Sequence, residues 1–248
     1  MSKSLSSNIS FYRNFLQLPR IHDQDELLDT GAGTPHDVQQ SLDDLWRINR
    51  FLGGISAVTR HLYPRLCREK VPVTLVDLGT GSGQLARHIA QWAQQNHCTL
   101  RVYGLDIAAR HLNIAAVLCK DADNLCLAQG NALQLPFAEA SVDYLISSLF
   151  VHHLEPPQVI DLLRQSFRCV RKALIISDLQ RGWLPLVAFK LGQPIFARSY
   201  LTRHDGAVSI RRGYTPAEFF AMAQAAGLTH CRVIQHFPWR MTLVAEKS

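Results

Sequence analysis

With 248 residues, the chain is about one and a half to two times the modal domain size, long enough to bury roughly 70–75% of its unfolded surface without covalent staples. Hydrophobic residues make up 47% and charged residues 19%, which excludes compositional disorder. The 26 Lys+Arg against 20 Asp+Glu leave a net charge of +6, a weak hint of an anionic partner that solubility explains as well.

The six cysteines form no Cys-x-x-Cys pair and no Cys/His cluster with zinc spacing, and no secretory leader opens the chain. A reduced, cytoplasmic setting with no metal is therefore expected. Residues 1–10 are polar and Ser-rich, which suits a frayed start. Up to residue 70 the pattern is helical, with Leu42, Leu45, Trp46, Ile48, Phe51 and Leu52 at helical spacing before Gly53-Gly54. This part is read as an N-terminal helical cap, residues 1–70, ahead of a second domain over 71–248.

From Val73 the texture changes. Short apolar runs begin at Val73, Leu100, Leu125, Val142 and Ala173, and helical segments are expected over Gln84–Gln95, about 108–120 and about 157–170. Strand and helix alternating in this way argue for βαβ units: an α/β fold with a Rossmann-like, mostly parallel sheet. Such sheets place ligands outside the carboxyl ends of their strands. Residues 179–213 lack a clear period and read as an insertion over that edge. Its longest apolar stretch, residues 183–196, is interrupted by Pro185, Lys190, Gly192 and Pro194, so no membrane span is expected. Thr215-Pro216-Ala217-Glu218 carries the signature of a helix start. Two strands, about 231–236 and 241–245, must pair antiparallel because their link is so short. The C-terminal strand thus closes a seven-stranded sheet.

The most informative segment is Asp77-Leu78-Gly79-Thr80-Gly81-Ser82-Gly83. Glycines at alternate positions between strand and helix let the backbone approach a ligand. A dinucleotide fingerprint would need its third glycine where Gln84 stands, and a phosphate loop would need Gly-Lys-Ser/Thr. Neither is present. A tight turn without a ligand remains the bland alternative.

This segment resembles the first motif of the class I S-adenosylmethionine-dependent methyltransferases, of the small-molecule type, and the resemblance extends over about residues 73–248. It implies S-adenosylmethionine as cofactor, with Asp77, Gly79, Thr80, Gly81 and Gly83 around its methionine portion. Asp106, closing the second strand, would take the ribose hydroxyls or else only cap the next helix. Ile107 would pack on the adenine, Asn131 and Ala132 would meet its edge, and Ser147 and Ser148 would complete the cofactor side.

After the fourth strand the chain has Ser147-Ser148-Leu149-Phe150-Val151-His152-His153-Leu154. The Asp/Asn-Pro-Pro-aromatic signature of enzymes that methylate nucleobase amines is absent. The stretch is similar to small-molecule methyltransferases of ubiquinone and menaquinone biosynthesis, while residues 179–213 together with Asn49–Gly54 resemble bacterial methyltransferases linked to polyketide-type phenolic products. His153 and His152 are candidate catalytic bases for a phenolic hydroxyl, or else packed structural histidines. Trp183, Arg198, Tyr200, Arg203, His204 and Arg211 are candidates to bind the acceptor. The expected partner is a small, partly hydrophobic molecule, and nucleic acid is disfavoured. A homodimer is compatible with the sequence. Carbon methylation of quinone type, RNA or protein methylation, and a non-catalytic cofactor-binding role stand as alternatives.

Overall fold

In the computed structural model, which describes residues 18–247, the short apolar runs become seven strands. They are β1 (Val73–Leu78), β2 (Leu100–Asp106), β3 (Leu125–Gln129), β4 (Val142–Ser148), β5 (Val170–Leu179), β6 (Cys231–His236) and β7 (Arg240–Glu246). They lie in the order β3-β2-β1-β4-β5-β7-β6. The first five pair in parallel, and β7 runs antiparallel to both β5 and β6. Order and direction agree with the expected Rossmann-like α/β sheet. The expectations for residues 1–10, and the first part of the cap, fall outside the described residues.

The central strands are buried on both sides, so their apolar residues serve two cores. On one face Val76, Leu78, Leu145, Leu174 and Ile176 pack against α5 (Pro156–Cys169) and α8 (Pro216–Ala225). On the other, Val73, Leu75, Val102, Ile146 and Ile175 pack against α2 (Gly54–Leu66) and α3 (Gln84–Gln95). The expected cap therefore divides. Its second half, α2, is a layer of the sheet, while α1 (Pro35–Phe51) packs on the insertion instead, through Val38, Leu42 and Leu201. Between α3 and α5, α4 (Ala109–Leu118) follows β2. Thr215 and Glu218 form the reciprocal cap at the start of α8 that the sequence indicates.

Residues 179–213, which show no period in sequence, fold as α6 (Trp183–Phe196) and α7 (Tyr200–Arg212). Pro185 stands in the first turn of α6, where its missing N–H is not needed, and Pro194 in the last. The segment hides its helical character because apolar side chains surround it: Leu186 is buried, while Leu184, Leu191 and Ile195 are exposed. The N-terminus of α7 is held by Asp44 of α1, whose Oδ2 accepts the N–H of Arg198 (2.6 Å) and of Ser199 (2.8 Å). Asp44 is 1% exposed, so truncating it strands two amides, that of Ser199 fully buried and that of Arg198 partly so. Asp44→Ala should lower stability by about 1–2 kcal/mol, read as a smaller urea midpoint with an unchanged slope.

Candidate active site

All three glycines of the turn after β1 adopt positive φ: 67° at Gly79, 57° at Gly81 and 72° at Gly83. A Cβ on Gly79 would stand 2.6 Å from the ring of Phe150, whereas one on Gly81 would meet nothing within 4 Å. Gly79 is thus required by close packing and Gly81 by its backbone conformation, on a side of the turn left open. Asp77, at the buried end of β1, accepts a hydrogen bond from the Thr80 hydroxyl (2.7 Å). Burial, opposed by that bond and aided by the nearby Asp106, raises its carboxyl to about 7.

Asp106 organises the neighbouring loop. Its Oδ2 accepts the Gly81 N–H at 2.7 Å and its Oδ1 the Ala108 N–H at 2.9 Å. Burial pushes against its charge, but His111 and these two amides outweigh burial and hold it below the usual carboxylate range. Asp106 therefore does cap its helix, and each oxygen keeps acceptor capacity for a ligand hydroxyl. Ile107 is 64% exposed beside it, a large apolar side chain with no protein partner to cover it. Asn131 turns its Oδ1 to the Leu133 N–H (2.9 Å), and Ala132 is buried. Ser148 is half-buried. Ser147 differs from expectation: it is fully buried and its hydroxyl donates to the Leu78 carbonyl (2.8 Å), so it braces β4 against β1.

A second cluster stands one ring away. Phe150, which covers Gly79, has its ring centroid 6.3 Å from that of His153. His153 and His152 lie in a short 3₁₀ turn, Val151–His153, with rings 4.2 Å apart. His152 is 3% exposed. Its Nδ1 is 2.8 Å from Asp178 Oδ1 and its N–H donates to Asp178 Oδ2 (3.1 Å). On the other side, Nε2 is 3.3 Å from Glu26 Oε1. Burial disfavours charge on His152, yet Asp178 and Glu26 prevail and raise its pKa. It is no free base with an open lone pair, contrary to the expectation from sequence. His153 keeps 23% of its side chain exposed, with Nδ1 2.7 Å from Asp29 Oδ2 and Nε2 4.0 Å from Glu26 Oε2.

Sequence inspection missed Glu26, Asp29 and Asp178. Residues 18–32 form a strap across the carboxyl edge of the sheet, tied down by backbone-reading side chains. Asp205 accepts the N–H groups of Leu27 (2.8 Å) and Leu28 (3.0 Å). Arg212, 6% exposed, reaches Gln24 O (3.0 Å), Asp25 Oδ1 (2.9 Å) and His153 O (2.7 Å). Ser209 donates to Glu26 at 2.6 Å. Asp205, Ser209 and Arg212 are thus the side chains of α7 that hold the strap. The residues expected to hold the acceptor lie elsewhere: Arg198, Tyr200, Arg203 and His204 are exposed and Arg211 is half-buried. Arg203 Nε bonds its own segment at Ala197 O (2.9 Å) and His204 pairs with Asp205. Trp183, 51% exposed, stands at the start of α6. Cationic side chains gather instead at the opposite, amino edge of the sheet, where a cleft of about 550 Å³ is lined by Arg60, Arg65, Arg68, Arg171, Lys172 and Arg232.

Residues 75–173 match the family described as "Methyltransferase domain". The chain is 26% identical over 199 residues to the demethylmenaquinone methyltransferase of Listeria monocytogenes, covering 73% of this chain and 83% of the relative. It is also 26% identical over 208 residues to the tRNA N(3)-methylcytidine methyltransferase Mettl2 of Drosophila melanogaster, covering 80% of this chain and 60% of that protein. Its fold is that of a SAM-dependent methyltransferase from Aquifex aeolicus, with a TM-score of 0.58 at 17% identity over 87% of this chain and 99% of the other. The open glycine turn and the strand order fit the methyltransferase domain matched over residues 75–173. The chain is a methyltransferase, and its cofactor is S-adenosylmethionine. No helix among the described residues is long and apolar enough to cross a membrane.

Asp77 supplies a pH signature. Its folded pKa lies above its unfolded one, so between about pH 4 and 7 the folded state binds more protons and this group's contribution to stability falls as pH rises. In the ligand-free protein, Asp77→Asn should therefore raise the melting temperature relative to wild type more at pH 8 than at pH 5.

Proposed function

We propose that the enzyme transfers the methyl group to a hydroxyl of a small, partly hydrophobic, phenolic acceptor, and that His153 is the side chain that meets this hydroxyl. One observation carries the reading: the cluster of Glu26, His152 and His153 stands beside Phe150, the ring that lies on the glycine turn. A sulfonium donor is already activated, so transfer needs chiefly an oriented nucleophile and, for a hydroxyl, removal of its proton. The cluster supplies both requirements at the edge where such sheets bind ligands. In the donor site, Gly79, Thr80, Gly81 and Gly83 would face the methionine portion, with Asp77 behind them and Asp106 on the ribose hydroxyls. Ile107, Asn131 and Ala132 would receive the adenine, with Ser148 alongside.

His152, fixed between two carboxylates, orients the turn, and His153 reaches outward from it. Arg212 holds the carbonyls of both histidines and the strap in one piece. The acceptor would enter between the strap and α6, with Trp183 at the rim. A cytoplasmic location suits the six free cysteines.

Carbon methylation of a quinone-type ring is the second reading, favoured by the likeness to the demethylmenaquinone methyltransferases of Listeria. Incubation with methyl-labelled cofactor and a panel of phenols and hydroquinones, followed by NMR of the product, separates them: an O-methyl ether supports the first reading and a ring methyl the second.

Two substitutions test the residues. Asp106→Ala should weaken S-adenosylhomocysteine binding by about 1–3 kcal/mol through lost charge-assisted bonds; unchanged affinity would leave Asp106 as a cap alone. His153→Gln should lower kcat by about 100-fold or more while cofactor affinity, by calorimetry, stays within about twofold. Equal loss of both would make His153 structural.

A further inference from the structure

The geometry points to a divalent-cation site formed by Glu26, His152 and His153, best matched to zinc, at which the acceptor's oxygen takes the open coordination position. This inference rests on the hydroxyl-acceptor reading above and gives it its proton chemistry. One ligand atom from each of the three residues lies within 4.8 Å of the others. Two atoms bound to one tetrahedral zinc at about 2.0–2.2 Å stand about 3.3–3.5 Å apart. His152 Nε2 is 3.3 Å from Glu26 Oε1, and His153 Nε2 is 4.0 Å from Glu26 Oε2. The first is the edge of such a polyhedron and the second is about half an ångström longer, whereas a charge-assisted hydrogen bond between buried groups would draw in to about 2.7–2.9 Å.

The surroundings complete the pattern. A histidine ligand presents one nitrogen to the metal and is oriented by a carboxylate or carbonyl on the other. His152 meets this requirement, with Nδ1 bonded to Asp178 at 2.8 Å, and His153 places Nδ1 2.7 Å from Asp29, near enough for the same contact though outside hydrogen-bond geometry. Each ring therefore turns its Nε2 toward Glu26. Glu26 is oriented in turn by Ser209, at 2.6 Å. Three carboxylates, two of them deeply buried, crowd this corner, and a divalent cation offsets them better than one imidazolium does. Two histidines and one glutamate leave a fourth position open, the arrangement of a catalytic zinc site. His153 is the more exposed of the two histidines and the one whose ring neighbours Phe150.

With the cation bound, the histidine lone pairs are engaged and His153 acts through the metal. The acceptor's hydroxyl coordinates and releases its proton to solvent. The resulting metal-held oxyanion attacks the methyl carbon while the carbon–sulfur bond breaks, its electron pair remaining on sulfur to give the thioether. No oxidant or reductant is required.

The test uses tag-free, full-length protein stripped by a chelator and titrated with Zn²⁺ against a chromophoric competitor. About one equivalent should bind. Glu26→Gln and His153→Gln should each weaken binding by at least 10-fold, with circular dichroism showing both variants folded. No stoichiometric binding by wild type, or wild-type affinity in both variants, overturns the site. Methylation of a phenol that falls on stripping and returns with Zn²⁺ supports the role in the reaction. Full activity in the stripped protein overturns that role. One equivalent of zinc bound, with no product from any phenol, would keep the site and remove the hydroxyl-acceptor reading instead.

Discussion

A carboxylate at the end of a parallel strand sets the constraint around which the histidine cluster, the proposed acceptor side, is built. Asp178 closes β5 and is 1% exposed, so its charge needs a partner inside the protein. His152 supplies one through both its ring and its backbone amide. Burial opposes ionisation of Asp178, and the His152 charge and these hydrogen bonds overcome it. Once His152 is fixed, its far nitrogen faces Glu26, and Glu26 can stand there only if the strap lies across the sheet edge. Asp205, Ser209 and Arg212 on α7 then have a defined surface to grip. Truncating one partner of such a set leaves the others buried and uncompensated, which costs far more than the pair contributes when whole.

The donor side obeys a different constraint. There the backbone rather than buried charge makes the site, because the turn after β1 must come close to both Phe150 and a ligand. Asp106 links the two demands by holding the Gly81 and Ala108 amides while keeping acceptor capacity outward. Phe150 joins the sides, since it packs on Gly79 and neighbours His153. Donor turn and acceptor cluster are therefore spaced by a single aromatic ring.

The fold and donor side were legible in sequence because their signals are local. A glycine turn, a strand-end Asp and short apolar runs occupy a few consecutive residues each, and the Thr215-Glu218 cap needs only four. The acceptor side was not legible, for physical reasons. Glu26 and His152 are 126 positions apart, so no spacing rule joins them, and the zinc signatures sought in the cysteines could not report a site without cysteine. In the 179–213 segment, arginines and apolar residues without a period suggested a pocket wall, but helix geometry turned Arg203 and His204 outward and Asp205, Ser209 and Arg212 inward. The cationic cleft was hidden for a similar reason: Arg65, Arg171 and Arg232 are far apart in sequence and line one cleft only because α2 packs beside β5 and β7.

The boundary of the family match carries the same distinction into function. Asp77, Asp106, Asn131, His152 and His153 fall inside residues 75–173, while Glu26, Asp29, Asp178, Ser209 and Arg212 fall outside them. Every side chain that fixes the orientation of the two histidines thus comes from the parts of the chain that the shared domain does not include. A common donor turn can serve many acceptors, because methyl transfer asks little of the donor side beyond position. In this chain a strap and a helical insertion bring carboxylates to a histidine pair. That arrangement exists only when three distant segments, the strap, the 3₁₀ turn and the end of β5, are docked together.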